Sequence, residues 1–417
     1  MKDNLISSTG TLVNLQQYKK ELEDELYDLL VYWQQYTTDD EFGGFKGQID
    51  GNNLVHPFAP KGAVLNTRIL WTFSAAFRHT QKPGYLQVAC RAFDYFINHF
   101  IDKENGGIFW SVDHTGKPLD TIKKSYAAGF GIYSLCEYYL CNPEEKVKQL
   151  AIELYQLLLK HAYDKPHGGF TEAFSANWQP VDDLRLSDKD ANTPKSMNTH
   201  LHLLEAFTNL YRVWPDENLK WHMEQLLNHF EDHIINQQTG HLHLFFDKDW
   251  TVTGDSIISF GHDIEAAWLL LEAATITGTE SITKRIKQSA VDLSKAASKG
   301  LDTDGGLWYE TDRAYQHWIY EKHWWPQAEA MVGFFNAWQL TGEEDYLNKS
   351  AGCWSFIKRK LKDPRGEWYW GIDKSDKLIN KDKAGFWKCP YHNSRACMEL
   401  INRIQSCGAG DEKKNFT

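Results

Sequence analysis

Six glycine-centred turns recur along the chain: Gly43-Gly44-Phe45, Gly106-Gly107-Ile108, Gly168-Gly169-Phe170, Gly240-His241-Leu242, Gly305-Gly306-Leu307 and Gly366-Glu367-Trp368. Their spacing of about 60 to 70 residues marks an internal repeat, which restricts the fold to units that stack or close on themselves. Each turn leads into a short alternating stretch, such as Ile108-Phe109-Trp110-Ser111-Val112-Asp113, and then a second turn, here His114-Thr115-Gly116. That is the pattern of a β-hairpin.

A strongly apolar helix is expected after each hairpin, over 66–79, 126–140, 197–214, 262–277, 325–340 and 391–404. Ordinary amphipathic helices are expected between them, over 15–36, 84–101, 143–161, 216–235, 280–298 and 343–361, with Pro143 and Pro215 standing at helix starts. Helices that are apolar nearly all round need enclosure on every side, whereas amphipathic ones need only one covered face. Alternation of the two kinds fits an inner ring within an outer ring: an all-α fold, the (α/α)6 barrel, with short β-hairpins at one end. No linker interrupts the pattern, so residues 1–417 read as a single domain, and 408–417 as a small charged tail expected to fray.

The net charge of -11 offers no basic field for phosphate backbones, so nucleic acid is not an expected partner. No window approaches the roughly 18 apolar residues of a membrane span, and residues 1–10 lack the pattern of a signal peptide. A cytoplasmic protein without membrane contact, a monomer, is expected. The seven cysteines have no CxxC spacing, which argues against both a disulfide framework and a thiolate zinc site. The 17 Trp and 19 Tyr are enough to supply flat apolar platforms for sugar rings as well as core.

Inner helices that all follow the same kind of hairpin must run parallel, with their N-termini at one end. The residues opening them should meet there: Asn66 and Arg68; Tyr126; Asn198, His200 and His202; His262, Asp263 and Glu265; Trp324, Trp325 and Glu329; Tyr391, His392, Asn393 and Arg395. A core needs none of these polar groups, and burying them unpaired would be costly. His262 and Glu265 lie three apart on one helix face, where the carboxylate can orient the imidazole, and Trp268 follows three further on. His200, His262 and His392 stand on three different helices. A pair of imidazoles flanking a carbon can take a proton from one face and return it to the other, which epimerises a carbon next to a carbonyl. The enediolate formed on the way needs a cationic donor, and Arg68 is the natural one. Three alternatives compete: a metal site on His241 and His243, although no HExxH motif exists; a glycoside hydrolase using two of Asp263, Glu265, Glu310 and Glu329; and a non-catalytic sugar-binding protein.

Five blocks carry a resemblance to a known family: Leu65-Asn66-Thr67-Arg68-Ile69-Leu70-Trp71; Met197-Asn198-Thr199-His200-Leu201-His202; Phe260-Gly261-His262-Asp263-Ile264-Glu265; His323-Trp324-Trp325-Pro326-Gln327-Ala328-Glu329; and Phe386-Trp387-Lys388-Cys389-Pro390-Tyr391-His392-Asn393. They resemble the N-acylglucosamine 2-epimerase superfamily, most closely its cellobiose 2-epimerases, over about residues 15 to 405. The resemblance implies an (α/α)6 barrel without metal or cofactor, acting on a mono- or disaccharide. The reaction it implies is reversible C2 epimerisation of a reducing-end glucose, as in cellobiose or lactose, to mannose; D-mannose and N-acylglucosamine 2-epimerases are the related alternatives. By motif, His262 and His392 match the two acid/base catalysts, His200 the histidine that opens the ring, and Arg68 the residue that holds O1. Tyr126, Asn198, Glu265 and Glu329 match the surrounding polar shell, Trp325 and Trp387 the sugar platforms, and Glu310 a carboxylate near the substrate. Residues 312–319 are richer in aromatic bulk than the family leads one to expect, which would narrow the mouth, and Cys389 stands where some relatives have glycine.

Overall fold

The structure, a computed structural model, describes residues 4–6, 12–254, 256–314 and 317–414. Among them are twelve α-helices: α1 (Leu15–Tyr36), α2 (Ala63–Thr80), α3 (Pro83–His99), α4 (Ser125–Cys141), α5 (Glu145–His161), α6 (Met197–Val213), α7 (Glu217–His229), α8 (Phe260–Thr277), α9 (Glu280–Ala297), α10 (Trp324–Thr341), α11 (Glu344–Lys360) and α12 (Tyr391–Lys414). All twelve expected helices are present. One π-turn, Phe230–Ile234, extends α7. The segment expected to fray is helical as far as Lys414, and residues 415–417 lie outside the described ones.

Burial follows the sequence pattern. Every residue of α4 from Ser125 to Tyr138 is buried, as an enclosed helix requires. The outer α9 instead buries Ile282, Ile286, Ala290, Leu293 and Ala297, one stripe at helical spacing. Each even-numbered helix packs on the next, and α12 packs back on α2, so the inner ring closes. The odd-numbered helices cover it, α1 lying against α12. Helix ends obey local chemistry: the Asp216 side chain caps the start of α7, and Gly278 and Gly342 close α8 and α10 in the left-handed conformation.

Short antiparallel strands stitch the mouth of the barrel. The residues before each inner helix pair with the hairpin of the following repeat: Lys61–Gly62 with Ser111–Val112, Lys123–Lys124 with Ala173–Phe174, Lys195–Ser196 with Phe245–Phe246, Ile257–Ser259 with Glu310–Asp312, and Glu321–His323 with Gly371–Asp373. A bridge between Ile49 and Ala384 joins the last repeat to the first. The hairpins thus form a second closed circuit above the helices.

A buried ion pair locks most hairpins to their helices. The Nζ atoms of Lys61, Lys123 and Lys195 lie 2.7, 2.7 and 2.9 Å from Asp39, Asp102 and Asp164. Lys322 pairs with Asp302 and Asp304, and Lys383 with Asp363. The aspartate opens the glycine turn, and the lysine sits two residues ahead of α2, α4, α6 and α10 and eight ahead of α12. Repeat four alone departs: Asn236 opens its turn, and Ile258 fills the lysine position. Both partners change together, so neither charge is left buried alone.

Candidate active site

One cavity of about 690 Å³ opens at the N-terminal end of the inner ring, and all six inner helices or the residues just before them contribute to it. Of the residues expected there, Arg68, Tyr126, Asn198, His262, Glu265, Glu310, Trp324, Trp325, Trp387 and His392 line it. Asn66, Asp263, Tyr391, Asn393 and Arg395 do not, nor do His200, Glu329 and Trp268, whose places in the helices give the reason.

His200 is the clearest correction. It is fully buried, its Nδ1 lies 2.7 Å from the Ser196 carbonyl, and its Nε2 accepts the Phe170 N–H at 2.9 Å. Both ring nitrogens are therefore spent on backbone. The fourth residue of other inner helices does the same job: Asp263 accepts the Leu242 N–H at 2.9 Å, and Gln327 accepts the Leu307 N–H at 2.7 Å. Each tethers the residue following a glycine turn. At Gly169 the backbone has φ +76°, and a Cβ would come within 2.7 Å of His200 Nε2, so the tether needs glycine there.

His202, two residues on, faces the cavity instead. It occupies the sixth position of α6, which matches Arg68 in α2, Glu265 in α8, Glu329 in α10 and, counting from Pro390, Arg395. Aligning the six helix starts would have separated the outward fourth position from the inward sixth in the sequence. Glu329 and Trp268 stand behind the wall. Glu329 Oε1 is 2.7 Å from His392 Nδ1, and Trp268 Nε1 donates to Glu329 Oε2 at 3.0 Å.

His262 and His392 converge on one platform, with ring centroids 4.7 and 5.7 Å from that of Trp325. Ser259 Oγ lies 2.8 Å from His262 Nδ1. The expected Glu265–His262 pairing does not form, because Glu265 turns to Arg395 at 3.0 Å. In both imidazoles Nδ1 is engaged, which leaves Nε2 for the cavity. Burial pulls the His262 imidazole down to about 3. Burial, with Arg68 and Arg395 nearby, holds His392 well below the usual value too.

Arg68 is 3 % exposed, and among the described residues it has no carboxylate partner. Its guanidinium lies over the rings of Phe130 and Tyr391, at 4.2 and 4.8 Å, and donates to Tyr126 Oη at 2.9 Å. Its Nε is buried without an acceptor, as is the Asn198 Oδ1 without a donor. A buried cation without a counter-ion favours an anion that arrives with the ligand.

Beneath the cavity, Arg395 gathers three buried carboxylates, Glu205, Glu265 and Glu329. Glu205 is a site residue the motifs do not name, and its signal is the three-residue spacing from His202, the same as that of His262 and Glu265. Glu265, Glu329 and His392 also place three potential metal ligands within 4.8 Å of one another, with the Arg395 guanidinium bonded to both carboxylates. His241 is taken by Asp263 at 2.6 Å, and no metal-ligand group among the described residues includes it or His243.

The outer half is built by Tyr309, Glu310, Trp370, Trp387 and the long connection 183–191 before α6, which carried no sequence signal. Burial raises Glu310 to about 7. Glu172, also in the wall, is raised to about 7 by burial while it accepts from Ser196 N, Ser196 Oγ and Thr199 Oγ1 at the start of α6. In the aromatic stretch 312–319, Trp318 stacks on Phe260 at 5.5 Å and lines a separate cavity, so its bulk does not narrow the mouth; Tyr315 and Gln316 lie outside the described residues.

The chain belongs to the N-acylglucosamine 2-epimerase family, whose sequence pattern matches residues 43–396. It is 45% identical to a cellobiose 2-epimerase of Bacteroides fragilis over 387 residues, 92% of this chain and 98% of the relative. The solved structure of cellobiose 2-epimerase from Bacillus thermoamylovorans superposes with a TM-score of 0.89 at 37% identity, covering 93% of this chain and 100% of that one. A crystal structure of D-mannose isomerase shares the fold, with a TM-score of 0.81 at 22% identity over 92% of this chain and 98% of that one.

Proposed function

We propose that the chain is one catalytic unit, a cellobiose-type 2-epimerase, which interconverts glucose and mannose at the reducing end of a β-1,4-linked disaccharide. The observation that carries the chemistry is the convergence of His262 and His392 on Trp325 in a cavity that also holds the uncompensated Arg68. An opened aldose placed on Trp325 presents C2 to both imidazoles. One removes the C2 proton, the enediolate rests its O1 charge on Arg68, and the other imidazole returns a proton to the opposite face.

The cycle needs one imidazole neutral and the other protonated. Of the two, His392 is the better place for a proton, because the Glu329 carboxylate lies 2.7 Å from its Nδ1 while His262 has only a hydroxyl partner. His262 then acts first as base towards one epimer, and His392 as base in the reverse direction. His202 takes the ring-opening role that sequence resemblance suggested for His200. Tyr126 and Asn198 orient Arg68 and a sugar hydroxyl. The room lined by Tyr309, Glu310 and Trp387 beyond Trp325 supports a second sugar ring over a lone hexose.

The test is turnover of cellobiose in deuterated water, beside lactose, mannose and N-acetylglucosamine. Deuterium at C2 of the epimerised disaccharide is the expected result. Product without label ends the proton-transfer reading, and faster turnover of free mannose or N-acetylglucosamine moves the substrate to a monosaccharide.

A further inference from the structure

One hydrogen-bonded chain crosses the floor of the cavity from α6 to α12. His202 Nδ1 lies 2.9 Å from Glu205 Oε2, and Glu205 Oε1 accepts from both Tyr391 Oη and Arg395 Nη1. Arg395 Nη2 donates to Glu329 Oε1 at 2.7 Å, and the same oxygen lies 2.7 Å from His392 Nδ1. Every member is at least nine-tenths buried, and the guanidinium is sandwiched between Trp268 and Tyr391, 4.7 and 4.1 Å from their rings. The two ends of this chain, His202 and His392, both line the cavity.

We propose that Glu205 is a positioning residue: it holds His202 with the proton on Nδ1 and Nε2 towards the sugar, and through Arg395 it ties the charge on His202 to the charge on His392. This rests on the 2-epimerase reading and adds to it an order of events. Glu205 and Glu329 share a single guanidinium, so a proton arriving at either imidazole draws on the same negative charge and disfavours a second. In ring opening a protonated His202 gives its Nε2 proton to the ring oxygen as the C1–O5 bond breaks, the O1 proton leaves to solvent, and loss of the charge on His202 makes protonation of His392 more favourable. The groups facing this chain are Arg68 from α2, Tyr126 and Tyr133 from α4, His262 and Glu265 from α8, and Tyr391 and Arg395 from α12. Of these the arginines oppose a proton on either imidazole and the carboxylates favour it, so removing the Glu205 charge moves both imidazoles the same way.

The experiment compares wild type, Glu205→Gln and Glu205→Asp by the pH dependence of kcat and KM on cellobiose, with circular dichroism as the folding control. In Glu205→Gln, kcat should fall about 10- to 100-fold with KM changed less than about threefold, and both limbs of the profile should move to lower pH. Glu205→Asp keeps the charge, and its limbs should return to the wild-type positions even if the shorter side chain leaves kcat low. Limbs that stay put in Glu205→Gln, or that move equally in Glu205→Asp, overturn the inference while leaving the 2-epimerase reading intact. Loss of C2 deuterium uptake in the wild type would instead end that reading. If Glu205→Gln does not fold, 15N-histidine spectra of the wild type decide, with His202 assigned from its absence in His202→Gln: a proton on Nδ1 supports the assignment and a proton on Nε2 overturns it.

Discussion

His200 and His202 show how little a residue type says without its direction. Two residues apart on an α-helix they point to opposite sides, since each residue turns the chain by about 100°. One tethers a hairpin and the other faces the cavity. His200→Gln should keep turnover within about threefold of wild type, because Gln327 already performs the same tether in repeat five. His202→Gln, with the fold retained, should cost about 100-fold or more in kcat. Steady-state rates on cellobiose check both, and equal losses would contradict the assignment. His262, His392 and Arg68 line the cavity where the sequence led one to expect them, since each opens an inner helix inside a long motif. The sequence did not disclose the Glu205–Tyr391 and Glu329–His392 pairings, which join residues 186 and 63 positions apart through space, although the three-residue spacing of His202 and Glu205 stood in it.

Elements are secured to one another by the buried lysine–aspartate pairs. Breaking one partner leaves the other charge stranded, and Asp102→Ala should lower stability by about 3–5 kcal/mol. The double change Lys123→Ile with Asp102→Asn copies the solution already used by Ile258 and Asn236, and should cost markedly less than Asp102→Ala alone. Chemical denaturation of the single and double variants measures the difference. A double variant as unstable as the single one would show that the pairs do more than neutralise each other. These pairs were invisible in the sequence as pairs, although both halves recur in it, because the hairpin returns the lysine to the aspartate from about 20 to 30 residues away.

For the whole molecule, burial of imidazoles sets the response to acid. Burial lowers His200 and His262 to about 3 and His229 to about 4, and holds His392 far below its ordinary value, while the unfolded chain takes up these protons near 6.5. The stability these groups contribute is complete above pH 6.5 and is lost as pH falls towards 3 to 4, because the unfolded state binds the protons first. Glu172 and Glu310, raised to about 7 by burial, have the opposite sign: they favour the fold at low pH and lose that contribution as pH rises through 7. Burial raises Glu25, Asp190, Asp263, Glu265 and Glu399 as well, seven carboxyls in all among the described residues, but it holds ten imidazoles low, so Tm should drop between pH 6.5 and 4.5. Thermal melts across that range test it, and a level or rising Tm would contradict the balance of signs.

The sequence by itself determined the number of units, the order of the twelve helices and the end at which polar residues gather, because period, apolar pattern and turn chemistry are local properties of the chain, while the ends of α7 and α12 departed from it. No helix among the described residues is long and apolar enough to cross a membrane, consistent with the hydropathy read there. Only the tertiary structure decided which face of each helix start turns inward, which carboxylate serves which imidazole, and that Arg68 has no carboxylate partner among the described residues. Spacing along a helix fixes the angle between two side chains but not the direction of either, and that direction is set when α12 closes on α2 and the ring acquires an inside.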